Sequence, residues 1–451
     1  MKVIIIGCGK VGMSLARQLY KEHDLTLIDR RTDRINAVPE DIDAMTIVGD
    51  GANVTVQDEA GMSEADLVIA VTDSDELNLL CCLIAQKTAA GCHTIARVRN
   101  PVYSQQLPFI KERLGISMTI NPEYAAALEV SRLLRFPSAI SIETFARGRV
   151  ELLRFKARPE HGLAGLRLTD LHARFRSDVL VCGIQRGDEV HIPDGQFALQ
   201  DGDLISLIAT PQAAAQFFSA IGLSTNQVKS ALLVGGGRMG LYLAQMLLAM
   251  KIDVRIIEKD LKRCELLSEL LPAASIICGD GTSKELLLSE GLSAAEAFVA
   301  MTNLDEENIL LSLYAKQHTK GKLITKVTRM DFDNIIDELD IGSVIYPKSI
   351  TTDYILQYVR SMQNSIGSSV ETLYRILDEK AEALEFTIRE GCEVAGIPLK
   401  DLETRDNLLI GCINRHGKII VPRGHDTIEV GDTVIVVTTH AGLQDVKDIL
   451  K

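Results

Sequence analysis

The feature that most constrains this chain is a glycine turn written twice. The apolar run Val3-Ile4-Ile5-Ile6 ends in Gly7-Cys8-Gly9-Lys10-Val11-Gly12. Ala231-Leu232-Leu233-Val234 is a second such run, and it ends in Gly235-Gly236-Gly237-Arg238-Met239-Gly240. Both turns follow the G-x-G-x-x-G spacing. The first glycine bends the chain, the second lets a pyrophosphate approach the backbone, and the third lets helix and strand pack closely. The helix that follows offers free N–H groups to the phosphates. One match is weak evidence. Two matches are strong when each lies between an apolar strand and an amphipathic helix and each is followed by an acid closing the next strand.

The rest of the chain repeats with the turns. Gly235 lies 228 residues after Gly7, Glu258 lies 229 after Asp29, and Gly279 lies 230 after Gly49. A drift this small across a whole domain marks a duplication with short insertions in loops. In the first copy, strands are expected over 3–6, 25–28, 44–48, 65–70 and 94–98, with helices over 11–21, 32–38 and 75–90. This alternation predicts βαβ units and a parallel sheet. A helix over 122–135 closes the first block and one over 347–363 the second, each starting at a proline suited to a first helical turn.

Two smaller modules also match one another. Gly165 to Leu171 corresponds to Gly396 to Leu402, Gly183 to Arg186 to Cys412 to Arg415, and Asp201-Gly202-Asp203 to Val430-Gly431-Asp432. The expected fold class is α/β: two Rossmann-like parallel-sheet domains, each followed by a small β-rich α+β domain. The expected boundaries are 1–136, 137–224, 225–366 and 367–451.

Composition narrows the function. Of the 451 residues 46% are hydrophobic and 24% charged, which suits buried cores in a globular protein. The formal net charge of −13 argues against a broad nucleic-acid surface. The first apolar run is too short for a signal-peptide core, and no stretch of about 18 apolar residues lacks charge, so no membrane insertion is expected. The nine cysteines include no C-x-x-C pair and read as buried thiols of a reducing compartment; the nine histidines lack metal-ligand spacing.

The candidate site residues gather around the turns. Asp29 closes strand two, where a carboxylate accepts hydrogen bonds from adenosine ribose hydroxyls and disfavours a 2′-phosphate; Arg30 and Arg31, next in sequence, pull the other way. Glu258 is its counterpart. Asp50 and Asp280 sit in Gly-Asp-Gly after strand three, readable as a plain turn or as a pocket edge. Thr72-Asp73-Ser74-Asp75-Glu76-Leu77-Asn78 and Thr302-Asn303-Leu304-Asp305-Glu306-Glu307-Asn308 share T-x-x-D-x-x-N, with Asp75 and Asp305 placed as helix caps. Thr72 and Thr302 lie at strand ends, where open α/β sheets bind ligands. Arg97 and Lys326 are candidate phosphate partners on strand five; a shift of one register would nominate Arg99 and Arg329 instead.

No G-x-S-x-G, H-E-x-x-H or G-x-x-x-x-G-K-[ST] motif occurs, and no substrate domain with a proton donor is evident. Two nucleotide folds without a catalytic partner read as a sensor rather than an enzyme. The competing reading is an NAD-dependent oxidoreductase acting on a small substrate.

On these residues the chain resembles the regulatory subunits of potassium transporters and channels that carry RCK (KTN) domains, in their doubled form. The start Met1-Lys2-Val3-Ile4-Ile5-Ile6-Gly7, the T-x-x-D-x-x-N pattern, Ala96-Arg97-Val98-Arg99 and the doubled order all fit. The resemblance implies NAD(H) in the Rossmann lobes, with ATP or ADP as further candidates. It implies a homo-oligomeric, tetrameric ring, peripheral on the cytoplasmic face of the cell membrane. That ring would dock on a potassium-translocating membrane subunit of the TrkH or TrkG type, and ligands would control ion flow by shifting the ring's shape. The carry-over is firmest for Gly7, Gly9, Gly12, Asp29, Thr72 and Arg97. The second copy departs at Gly236, Glu258 and Asn303.

Overall fold

The computed structural model describes residues 1–100, 103, 106, 109, 112–146, 149–223, 227–328, 336, 339, 341–364, 370–377, 380–440, 442–443 and 445–451. The expected boundaries at 224/225 and 366/367, and Arg329, lie outside the described residues. The chain divides into two units. One comprises Met1–Val130, Ala231–Thr319 and Leu323–Leu356; the other comprises Ser131–Ser230, Lys320–Lys322 and Gln357–Lys451. The first unit holds the parallel sheets and the second the antiparallel ones.

Strands β1 (Lys2–Ile6), β2 (Asp24–Asp29), β3 (Met45–Val48), β4 (Leu67–Ala70), β5 (His93–Arg97) and β6 (Met118–Ile120) form one sheet in the order β3-β2-β1-β4-β5-β6. Every pairing is parallel. Val3 to Ile6 are all buried, as a strand covered on both faces requires. Helix Lys10–Leu19 turns Val11, Leu15, Ala16 and Leu19 inward at helical spacing. The chain leaves β1 toward β2 on one side and returns at β4 on the other, so a crevice opens where the order reverses. The sixth strand was not anticipated. At three residues it is too short to show an alternating pattern.

An antiparallel sheet follows, built from β7 (Ser141–Phe145), β8 (Val150–Lys156), β9 (Leu180–Arg186), β10 (Glu189–His191) and β11 (Leu204–Ala209) in the order β10-β9-β11-β8-β7. The second half repeats both. Strands β12 (Ser230–Val234), β13 (Asp253–Glu258), β14 (Ser275–Cys278), β15 (Ala297–Ala300), β16 (Lys322–Lys326) and β17 (Ser343–Ile345) run β14-β13-β12-β15-β16-β17. Strands β18 (Val370–Ile376), β19 (Ala381–Thr387), β20 (Leu408–Arg415), β21 (Lys418–Ile420) and β22 (Thr433–Thr438) run β18-β19-β22-β20-β21, the order of their counterparts in the first half.

The small sheets share a buried ion pair as well as a topology. Arg186 grips Asp203 through Nε and Nη2, both at 2.8 Å, and Arg415 grips Asp432 at 3.0 and 2.8 Å. Both carboxylates are buried, and each also accepts a backbone amide, from Gln200 or Glu429. Only the carboxylate of each pair is fully buried, so removing the arginine would leave a buried charge without its ionic partner. Within their unit the two small sheets pool one core, where Phe145, Val150 and Ile208 pack with Leu377, Ala383 and Val437. One divergence is plain. Leu168–Phe175 is a helix, whereas the matching stretch after Pro398 keeps only a 3₁₀ turn, Leu399–Asp401.

In the other unit the two Rossmann lobes meet at Tyr242. Its hydroxyl accepts from Asn121 Nδ2 at 3.0 Å and donates to the Arg99 carbonyl at 3.4 Å, and its ring stands edge-on to Tyr124. Ala125, Ala126, Ala127 and Val130, on the helix Pro122–Arg135, are buried within the chain.

Candidate functional site

Each crevice is bounded by its glycine turn, and the glycines there are not equivalent. Gly7 and Gly235 have φ of +106° and +111°. A Cβ on Gly7 would lie 2.9 Å from the Thr72 amide nitrogen, and one on Gly235 would lie 2.8 Å from the Met301 carbonyl. The first glycine therefore lets the turn press against the end of strand four as well as bend. On Gly12 and Gly240 a Cβ would strike the carbonyl of Gly7 or Gly235, at 1.9 and 2.5 Å. Gly9 and Gly237 differ. A Cβ there would meet only Arg34 Nη1, at 3.8 Å, in the first lobe and nothing within 4 Å in the second. No protein atom demands glycine at these two positions, and the space beside them is open.

The acids at the strand-two ends hold the turns in shape. Asp29 accepts the Cys8 amide at 2.8 Å and the Arg31 amide at 2.9 Å; Glu258 accepts those of Gly236 at 2.8 Å and Asp260 at 3.0 Å. Asp29 Oδ1 and both Glu258 oxygens each retain a lone pair for a ligand hydroxyl, whereas Asp29 Oδ2 also accepts from Arg34 at 3.3 Å. Burial, reinforced by the Asp29 charge, pushes the Cys8 thiol up to about 12, so it is a packed thiol and no nucleophile. Val11 and Met239 are likewise packed inward, whereas Lys10, Arg30 and Arg238 are exposed. At the far edge Asp50 accepts the Ala52 amide, and Asp280 accepts the amide and hydroxyl of Thr282. The flanking glycines keep these turns close: a Cβ on Gly51 would lie 2.3 Å from Ile6, and one on Gly281 2.4 Å from Val234.

The T-x-x-D-x-x-N stretch stitches strand four to strand five. Asn78, fully buried, accepts from the Thr72 amide at 2.8 Å and hydroxyl at 2.7 Å, and donates to the Arg97 carbonyl at 2.9 Å. Asn308 accepts the Thr302 amide at 2.8 Å and donates to the Lys326 carbonyl at 3.0 Å. The sequence reading placed Asp75 and Asp305 as helix caps. Instead Ser74 caps the first helix, and Asp75 accepts the amides of Arg99 and Asn100. Asp305 accepts the Thr328 amide. A carboxylate one residue into the helix reaches the neighbouring loop more easily than its own first turn.

The strand-five cations take matching places. Arg97 pairs Ile120 across the sheet and Lys326 pairs Ile345. Arg97 is not in the lining of the cavity beside the first turn, nor Lys326 in that beside the second. Arg97 donates to the Thr72 carbonyl at 2.5 Å, and Lys326 to the Met301 carbonyl at 3.4 Å. Burial lowers both pKa values, with Arg99 adding to the effect on Arg97. Each reaches over the end of strand four, and Arg97 also pairs there with the cavity residue Asp73 at 3.4 Å.

The first cavity, about 360 Å³, is lined among others by Gly7, Asp29, Arg30, Asp50, Thr72 and Asp73. The second, about 180 Å³, has Gly235, Gly237, Glu258, Asp280, Thr302 and Asn303 in its wall. Two further residues escaped the sequence reading. Arg34 lies five positions after Asp29, and Arg263 five after Glu258. Arg34 reaches Asp29 at 3.3 Å and Asp73 at 3.4 Å. Arg263 instead donates to the carbonyls of Gly236 at 2.6 Å and Gly237 at 3.1 Å. Their matching place in the two repeats was the signal available.

Comparison with known proteins accords with this geometry. The TrkA-N domain family matches residues 3–122 and 231–347, and the TrkA-C domain family matches 152–222 and 383–451. The Trk system potassium uptake protein TrkA homolog 1 of Methanosarcina mazei is 32% identical over 458 residues, covering 100% of each chain. The Trk system potassium uptake protein TrkA of Halomonas elongata is 31% identical over 439 residues, 97% of this chain and 95% of that one. Among solved structures, the GsuK RCK domain covers 97% of this chain and 92% of its own at a TM-score of 0.62 and 17% identity. The GsuK channel bound to NAD covers 97% and 76% at a TM-score of 0.63 and 17% identity. Sheet order, glycine turn and antiparallel module, each present twice, define a tandem RCK fold. The chain belongs to the TrkA family of Trk system potassium uptake proteins.

Proposed function

We propose that this chain is a nucleotide-sensing regulatory subunit of a Trk-type potassium uptake system. It binds NAD(H), with ATP or ADP as further ligands, in its Rossmann lobes, through the turns at Gly7–Gly12 and Gly235–Gly240 and the acids Asp29 and Glu258. It assembles as a ring of like subunits at the cytoplasmic face of the membrane and docks on the potassium-translocating subunit. Its four modules divide near residues 136, 224 and 366. Ligand occupancy biases one ring shape over another, which requires only that the ligand bind the two shapes with different affinity.

The observation that carries this reading is the open space beside Gly9 and Gly237, each facing a turn already braced by an acid. The relatives' names support the potassium system. A solved RCK channel bound to NAD supports the ligand class. Among the described residues no helix is long and apolar enough to cross a membrane, in keeping with docking on a separate membrane subunit. The test is an equilibrium titration with NADH, with ATP as competitor, while NADH absorbance is followed. Saturable binding without NADH consumption supports the sensor. Steady consumption with small carbonyl substrates would turn the reading to an oxidoreductase, and no binding of either nucleotide would overturn it.

A further inference from the structure

The second lobe carries a thiol pair where the first has aliphatic side chains. Cys264 lies on the helix Leu261–Leu270, and Cys278 ends β14. The β13–β14 register sets Cys278 opposite Glu258. The Cys264 thiol donates to the Glu258 carbonyl at 3.2 Å, and that same carbonyl accepts the amide of Gly279, the residue after Cys278. Both cysteines thus converge on one peptide, that of Glu258. Cys264 is buried, and Cys278 is the one exposed cysteine among the described residues. The corresponding positions in the first lobe hold Ile35, on the helix after β2, and Val48, at the end of β3.

We propose that Cys264 and Cys278 are a redox modification site, closing to a reversible disulfide next to the edge of the second cavity when a hydroperoxide oxidises Cys278. The Cys278 thiolate attacks one oxygen of hydrogen peroxide. An S–O bond forms, the O–O bond breaks, and hydroxide leaves to take up the thiol proton as water. Cys264 then attacks the sulfenic sulfur as its proton passes to the departing oxygen. The S–S bond forms, the S–O bond breaks, and hydroxide leaves with the Cys264 proton as a second water. The two thiols lose two electrons and one peroxide is reduced to two waters; a dithiol reductant reverses the step. Burial, with the neighbouring Cys278 thiol next, pushes the Cys264 thiol up to about 11, so peroxide reacts at the exposed Cys278 and Cys264 gives up its proton only as the disulfide forms. A disulfide that forms and breaks in this way is the kind a reducing compartment permits.

The consequence is local. Gly279-Asp280-Gly281 follows Cys278 directly, and Asp280 and Gly281 line the second cavity. Drawing the end of β14 onto the helix moves that edge. The first lobe has no thiol pair there. The effect on ligand affinity rests on the nucleotide reading; the disulfide itself does not.

The test treats the full chain with hydrogen peroxide, alkylates free thiols and maps peptides by mass spectrometry without reduction. A peptide pair joining Cys264 to Cys278, lost on adding dithiothreitol, is expected. It should be absent from Cys278→Ser and from the double variant Cys264→Ile with Cys278→Val, which borrows the first lobe's side chains and preserves packing. Cys278 accumulating as sulfinic acid without a Cys264 link would overturn the proposal. In an ADP titration, oxidation should weaken the second site on the order of tenfold and leave the first unchanged. A linked chain whose second-site affinity has not moved would overturn the regulatory consequence. Absence of ADP binding in the reduced chain would count against the nucleotide reading, while the linked peptide would still decide the disulfide.

Discussion

The two glycine turns bend alike, but the groups around them differ. In the first lobe Arg34 spans two acids, Asp29 and Asp73, at the mouth of the cavity. In the second lobe the residue matching Asp73 is Asn303, which has no charge to offer, and Arg263 folds onto the carbonyls of Gly236 and Gly237. The helices that carry these arginines differ as well. Thr32–Asn36 has five residues and Leu261–Leu270 has ten. The longer helix brings Leu267 under the turn, where a Cβ on Gly236 would lie 2.5 Å from Leu267 Cδ1. The first lobe has Cys8 at that position, buried without such a clash. The backbone scaffold was duplicated faithfully, while the side chains that set charge and volume at the cavity diverged. The second cavity is the smaller of the two, with a guanidinium over its turn.

The sharpest test of the likeness is at the second glycine. Gly9→Val should abolish the first site and Gly237→Val the second, by about 100-fold or more in dissociation constant, each leaving the other site intact. The melting temperature should scarcely move, because the added side chain enters open space. Calorimetric titration of both variants reads this, and a Gly9→Val chain that still fills both sites would remove the pocket assigned here.

The difference between the lobes should appear on exchanging position eight. Gly236→Cys, which copies the first lobe, overpacks against Leu267 and should lose about 1–3 kcal/mol by urea unfolding. In a background where Leu267 is already Ala, the same change should be nearly free. Additive losses would mean that Leu267 is not the obstacle.

Asn78→Ala and Asn308→Ala should act alike, since both side chains are fully buried and span strands four and five. Each leaves buried amides and carbonyls unpaired, for about 1–3 kcal/mol in unfolding. A loss at one lobe only would break the symmetry.

The smallest effect concerns Asp73. Desolvation opposes ionisation there, but the hydrogen bond from Arg34 and the charge of Arg97 prevail and hold its pKa below the ordinary carboxylate value. A depressed native pKa adds stability above the unfolded value of about 3.9, and that increment is lost as pH falls through the native value. Asp73 is largely exposed, so the increment is less than about 1 kcal/mol. Arg34→Gln should flatten this acid limb of the unfolding profile. Arg263→Gln should not, because Arg263 has no partner corresponding to Asp73.

Much of this was legible in the sequence. Runs such as Val3 to Ile6 declare themselves by β-branched apolar residues, and the glycine spacing locates the start of each helix. The repeat offset then paired Asp29 with Glu258 and Arg97 with Lys326, and the sheet register agrees. What could not be read was direction. Arg97 looked like a phosphate partner because it ends a strand at the crevice, yet its guanidinium turns to the Thr72 carbonyl. Asp75 looked like a cap, yet Ser74 caps and Asp75 reaches the loop after strand five. β6 and β17 carry too few residues to register as strands at all.

The sequence by itself determined the duplicated architecture, the place of the two turns and the acids that brace them. These depend on local preferences, glycine's positive φ and period-two burial, which a chain expresses residue by residue. Only the tertiary structure decided which side chains face each cavity, that Arg34 and Arg263 take different partners, and that Cys264 and Cys278 converge on the Glu258 peptide. Those outcomes depend on side-chain direction and on distances between elements far apart in the chain, which spacing along a sequence does not contain.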